Sequence, residues 1–189
     1  AGYAIVNKRW WIESPSERQL LLLGCLLRTV GGLEYPVPRK NLLALMERID
    51  NRGNFEGATL AGCRLTNCRE GILVCREVGR LPSPVNLHVG QEKRWDRFKI
   101  RVHKISEGRQ KLLGRDALWE VGPLGDEFQE SLSTMPRQVL GSLPAFRREK
   151  RVVSVPHIGY VAPNSLNTSD FSAIFSVATP LVSALTTIA

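Results

Sequence analysis

The sequence predicts an α+β protein: a helical hairpin with a small antiparallel meander, followed by a mixed α/β C-terminal domain. Three observations carry this. Two apolar stripes with helical period lie between residues 16 and 52, and three short strand-like runs follow between 58 and 77. A strictly alternating run at 97–103 then opens the second half. The expected division is 1–78, a linker at 79–92, and 93–189.

Taken in order, residues 3–12 are rich in Ile, Val, Tyr and Trp and read as a strand. Ser14-Pro15-Ser16-Glu17 reads as a helix start, with Ser14 as N-cap, Pro15 at the first helical position and Glu17 closing a capping box. Leu20, Leu23, Leu27 and Val30 make the buried stripe, and Gly31-Gly32 supplies the C-cap. After Pro36 and Pro38, a second helix buries Leu42, Leu45, Met46 and Ile49 and leaves Arg39, Lys40, Arg48 and Arg52 in solvent. Residues 58–60, 63–68 and 72–77 form the meander, with Ala61-Gly62 and Glu70-Gly71 as tight turns. Gly79, Pro82, Pro84 and Gly90 mark the linker. Beyond it, Phe98, Ile100 and Val102 face one way and Arg97, Lys99, Arg101 and His103 the other. Residues 117–121 and 152–155 read as strands, 127–132 as a short helix and 136–140 as a helical turn, the terminal tail completing a mixed sheet.

At 189 residues, 43% hydrophobic and 23% charged, the chain is long enough to bury its own core without disulfides or a metal. Wholesale disorder, collagen, coiled coil and a polytopic membrane protein are excluded. Residues 171–189 are uncharged, yet Pro180 and several Ser and Thr make a docked segment or short buried strands the expectation rather than a membrane anchor. Cys25, Cys63, Cys68 and Cys75 have no zinc-like spacing, and no metal is expected. The N-terminal residues lack a charged region followed by an apolar one, so reduced thiols in a cytoplasm are the simplest expectation.

The net charge is +8, and it is concentrated. Residues 93–115 hold nine basic side chains against Asp96 and Glu107. A local excess of this kind is the footprint of phosphate contacts, although a solvated strand face paired with Asp116, Glu120, Asp126, Glu127 and Glu130 would have the same composition. No nucleophile–base pair, phosphate-cradling loop or nucleophile elbow is present. His88, His103 and His157 are scattered; His103 ends the basic face, and His157 fits a local turn. Trp10 and Trp119 have apolar neighbours and suit a core, whereas Trp95, among Lys93, Arg94 and Arg97, is as well placed to stack on a base. These residues describe a binding module.

Gly31-Gly32-x-x-Tyr35-Pro36-x-x-Arg39, a Leu-rich helix, and then Gly57-Ala58-Thr59-Leu60-Ala61-Gly62-Cys63-Arg64 resemble the segment after the catalytic domain of tRNA(Ile)-lysidine synthetases of the alphaproteobacterial type. Ser142-Leu143-Pro144-Ala145-Phe146 and Val152-Val153-Ser154-Val155-Pro156-His157-Ile158-Gly159 resemble their C-terminal domain, and the stretch from Phe175 to Leu185 is similar to their closing segment. The resemblance implies a ligase that adenylates the wobble cytidine of an isoleucine tRNA and lets free lysine displace AMP. ATP with magnesium, and lysine, would be held by a PP-loop ATPase domain with an S-G-G-x-D-S signature, which this sequence does not contain. The chain is therefore expected to be the tRNA-recognition portion, inactive alone, with no catalytic, cofactor or metal residues of its own. The candidate RNA-binding residues are Arg39, Lys40 and Arg48 on the second helix and Arg97, Lys99, Arg101 and His103 on the alternating strand. The rival expectation is a basic RNA-binding or protein-interaction module unrelated to tRNA modification.

Overall fold

The computed structural model describes residues 2–50, 55–103, 118–127, 134–163 and 166–176. They form two compact units, 2–80 and 81–176. Both helices and antiparallel sheets are present, so the α+β class holds.

In the first unit, β1 (Ala4–Asn7) runs directly into α1 (Lys8–Glu13). The strand expected over 3–12 is thus cut at Asn7, whose side-chain oxygen accepts from the N–H groups of Arg9 and Trp10 at 2.9 and 3.2 Å and starts a helix. Next comes α2 (Ser16–Gly31), where the expected capping box does not form. Pro15 is the N-cap, and its carbonyl accepts from Arg18 and Gln19 without a side-chain cap. At the other end Gly32, at φ 71°, closes the helix, and the Leu33 N–H reaches the Arg28 carbonyl at 2.9 Å. In α3 (Arg39–Asp50), Leu42, Leu45, Met46 and Ile49 are the buried residues, as their spacing predicts.

The meander consists of β2 (Ala58–Leu60), β3 (Cys63–Cys68) and β4 (Gly71–Arg76), and β1 pairs with β4 to give the order β1-β4-β3-β2. Ala61 and Gly62 both have positive φ, which a two-residue hairpin turn needs. The other turn is Arg69-Glu70, since Gly71 already pairs with Cys68. Leu23, Leu26, Leu27, Leu45 and Met46 share one core with Val6, Leu65 and Val74. The helices are also tied by polar contacts: Trp11 Nε1 donates to Asp50 at 2.7 Å, and Gln19 donates to the Trp11 carbonyl at 2.6 Å.

The second unit contains β5 (Val85–His88), β6 (Glu92–Trp95), β7 (Phe98–Val102), β8 (Leu118–Pro123), α4 (Arg137–Leu140), β9 (Pro144–Arg148), β10 (Arg151–Val155), β11 (Tyr160–Val161) and β12 (Phe171–Phe175). The sheets run β11-β10-β9-β8-β5 and β12-β7-β6, and every pairing is antiparallel. This corrects the mixed α/β expectation: among the described residues the unit has one four-residue α-helix and no parallel pair. Within the stretch 79–92, read from the sequence as a linker, lie β5 and the start of β6, which enter the larger and the smaller sheet respectively. Leu87, Trp119, Val121 and Phe146 of the larger sheet meet Trp95, Phe98, Ile100, Val102 and Phe171 of the smaller in one core. The helix expected at 127–132 lies almost wholly outside the described residues, as does the tail beyond Ser176. Among the described residues no helix is long and apolar enough to cross a membrane.

Gly31 tests the first unit. A Cβ there would collide with the Ala61 carbonyl oxygen, a backbone atom held by the β2–β3 turn. Gly31→Ala is expected to destabilise the unit by about 1–3 kcal/mol, the usual cost of overpacking, and to lower its melting temperature accordingly. An unchanged thermal melt would show that α2 and the turn can separate freely.

Candidate nucleic-acid interface

The period of two in β7 makes the second unit's basic face. Phe98, Ile100 and Val102 are buried, while Lys99 and Arg101 stand on the opposite side in solvent. Strand pairing extends that face. Arg94 lies opposite Lys99 and Glu92 opposite Arg101 on β6, while Ile174 and Ser172 occupy the matching positions on β12. Among the described residues, neither Lys99 nor Arg101 has an ion-pair partner, and the acids considered as their partners are otherwise placed. Glu120 and Asp126 are exposed, Glu127 pairs with Arg147 at 3.0 Å, and Asp116 and Glu130 lie outside the described residues.

His103 follows the strand and is half-buried. Its backbone N–H donates to the Asp170 carbonyl at 2.8 Å, and its Nε2 lies 3.0 Å from the Ser172 hydroxyl, on the same side as Arg101. Lys104, Arg109, Lys111 and Arg115, which contribute much of the local excess, fall outside the described residues.

Arg97 does not join this face. It is 1% exposed, sits in the two-residue turn between Trp95 and Phe98, and donates through Nε to Asp96 at 2.8 Å. Its guanidinium lies 5.5 and 5.6 Å from the ring centres of Phe98 and Phe175, and its carbonyl accepts from the Ser176 N–H. The alternation rule fails here because Arg97 is a turn residue, and a turn has no strand parity. Trp95 is likewise a core residue, 1% exposed, with Nε1 donating to the Ser83 carbonyl at 3.2 Å, so it offers no stacking surface.

The second candidate group lies on α3 in the other unit. Arg39, Lys40 and Arg48 are all exposed. They do not make one patch: nine residues at about 100° each put Arg39 and Arg48 roughly half a turn apart around the axis. Arg48 Nη2 is occupied by the Gly57 carbonyl at 2.8 Å. Arg39 instead lines an apolar cavity of about 480 Å³ with Leu20, Leu21, Val37 and Leu42.

Sequence reasoning passed over Arg94 as a site residue. The signal was available in the hairpin, since a two-residue turn at Asp96-Arg97 places residue 94 opposite 99. Asp96, at φ 48°, takes the left-handed conformation that short polar side chains tolerate.

The four cysteines are free thiols, and no group of three or more His, Cys, Asp and Glu is arranged to hold a metal among the described residues.

His157 packs edge-on against Phe98, with ring centres 5.0 Å apart. Burial, aided by the positive charge of Arg97, lowers its pKa from 6.5 to about 4. The unfolded chain therefore binds a proton below about pH 6.5 that the folded chain refuses until about pH 4. The stability from this group is complete above pH 6.5 and is lost as pH falls from 6.5 to 4. In urea melts at pH 7.5, 5.5 and 4.5, His157→Gln is expected to show a shallower acid loss than the unmodified chain. Parallel curves would show that His157 titrates normally.

The chain is similar to a tRNA(Ile)-lysidine synthase of Wolbachia pipientis, 26% identical over 171 residues that cover 89% of this chain and 38% of that protein. A second, from Orientia tsutsugamushi, is 24% identical over 176 residues, covering 89% and 39%. A third, from Hyphomonas neptunium, is 40% identical over 82 residues, covering 43% and 22%. The resemblance read from the sequence is therefore shown, and the chain spans less than two-fifths of the length of these relatives. No family model matches the chain, and no solved structure matches it.

Proposed function

We propose that this chain, similar over most of its length to tRNA(Ile)-lysidine synthases, is the tRNA-recognition portion of an ATP-dependent ligase that converts the wobble cytidine of isoleucine tRNA to lysidine. The observation that supports it most is the exposed pair Lys99 and Arg101 on β7. Their strand is held rigid by a buried opposite face, and they have no ion-pair partner among the described residues. Folded RNA is recognised through its shape, phosphates and 2′-hydroxyls, which calls for cations on rigid elements rather than a catalytic constellation.

In this reading Lys99, Arg101 and His103 contact the tRNA backbone, and Arg39, Lys40 and Arg48 add separate contacts from α3. Arg97 serves the fold. ATP with magnesium, and free lysine, belong to a PP-loop ATPase domain of the whole enzyme, and its reaction takes place in the cytoplasm. The chain by itself, mixed with ATP, lysine and the isoleucine tRNA, is expected to form no lysidine above background, because it offers no loop to cradle the triphosphate.

Salt tests the reading against a protein-interaction module. Binding to a tRNA transcript is expected to weaken steeply as salt rises, since phosphate contacts release counterions. Lys99→Gln with Arg101→Gln is expected to flatten the slope of log K against log salt by about 1.5 units, at roughly 0.7–0.9 per lost contact. The melting temperature should change little, because both side chains are exposed. A slope unchanged by the double substitution would remove β7 from the interface.

A further inference from the structure

Resting on the RNA-binding reading above, we propose that Arg94 and Lys99 together clamp one phosphate of the bound RNA, with Ile174 packed against the adjoining ribose or base. The two cations face each other directly across β6 and β7, on neighbouring strands about 4.8 Å apart. Like charges directly opposite in an antiparallel pair destabilise the sheet. Among the described residues neither cation forms an ion pair: the Asp96 carboxylate holds Arg97, and Glu92 stands opposite Arg101. Among the described residues the Arg94 side chain makes a single hydrogen bond, from Nε to the Asp96 carbonyl at 3.2 Å, which leaves the rest of its guanidinium for a ligand. The next row differs, with Arg101 lying opposite Glu92, an opposite-charge placement that favours the sheet without help. Among the described residues the directly opposed like charges of this face are thus Arg94 and Lys99.

A phosphodiester supplies the missing counter-charge, and two convergent cations suit it better than one. The third member of the row is Ile174, opposite Lys99 on β12 and 62% exposed. An apolar side chain so exposed, beside two cations, suits a ligand with a charged backbone and apolar faces alternating along it. An RNA strand has that character, whereas an acidic peptide presents charge without the flat faces.

The experiment exploits the repulsion. Lys99→Glu and Arg94→Glu, made singly, each turn the repulsive pair into an attractive one, whereas Arg101→Glu sets two carboxylates opposite each other. Melting temperature and affinity for a tRNA transcript are measured across a salt series, with poly-glutamate as a second polyanion. The first two variants are expected to melt higher than the unmodified chain yet bind tRNA at least about tenfold more weakly, the scale of a lost charge-assisted contact. Arg101→Glu is expected to melt lower. If the unmodified chain binds tRNA with a steep salt slope and neither Lys99→Glu nor Arg94→Glu weakens it, the clamp is wrong and the RNA reading stands. If both variants melt no higher, the repulsion that motivates the clamp is absent, and the inference falls. Equal loss of poly-glutamate and tRNA binding would assign the pair to an acidic protein partner instead. A chain without salt-dependent tRNA binding would overturn the RNA reading itself.

Discussion

The basic face of the second unit depends on the burial of three side chains in one strand. Phe98, Ile100 and Val102 are each fully buried, and that fixes which way β7 is turned. A slip of one residue would bring Lys99 and Arg101 into the core and expel the apolar set, so the register is strongly specified. The turn at Asp96-Arg97 holds it at one end. There the buried Arg97 guanidinium lies beside the Asp96 carboxylate and two phenyl rings, and its backbone carbonyl takes the N–H of Ser176 just past β12. A buried ion pair adds little net stability, because desolvation offsets its attraction, yet removing one partner strands a buried charge. Arg97 is therefore better understood as fixing one geometry of the hairpin and of β12 than as strengthening the fold.

In the first unit the motif that carries the resemblance is mostly architecture. Gly31 lets the end of α2 approach the β2–β3 turn, Gly32 supplies the left-handed C-cap, and Arg39 is the first residue of α3. Pro36 and Pro38 lie in the connection, and the Pro38 carbonyl accepts the N–H groups of Asn41 and Leu42 at the start of α3. Tyr35 is the exception. It is 78% exposed, and packing does not account for it.

What the sequence disclosed follows from where periodicity applies. The α3 stripe of Leu42, Leu45, Met46 and Ile49 could be read because a helix of twelve residues samples its period more than three times. The β2–β3–β4 meander could be read because its hairpins are closed by two-residue turns. Failures cluster at junctions. Asn7 starts a helix inside an apparent strand, and Pro15 rather than Ser14 caps α2. Arg97 leaves its expected face at a turn. Local polar geometry decides those positions, and apolar periodicity carries no information about it. Trp95 departs from the surface its neighbours suggest for another reason: its charged sequence neighbours Lys93, Arg94 and Arg97 are not its spatial ones, which are core residues of two sheets.

The same distinction governs the charge. A count of cations between 93 and 115 treats all nine alike. The structure divides those it describes by what each already does: Lys93 reaches the Asn86 carbonyl at 2.7 Å and Arg97 is consumed by its turn, whereas Arg101 stands opposite Glu92 without an ion pair to it. Outside that stretch, Arg147 is spent in the same way, on the carbonyls of Pro123 and Leu124 and on Glu127. Net charge therefore gives the sign of a partner's field at a distance, where all cations contribute. Contact is another matter, because a cation already holding a carbonyl or carboxylate must give up that partner to take a phosphate. Among the described cations of this stretch, Lys99 and Arg101 hold no such partner and Arg94 gives only its Nε to the Asp96 carbonyl, so these three can take a counter-ion with little or no exchange.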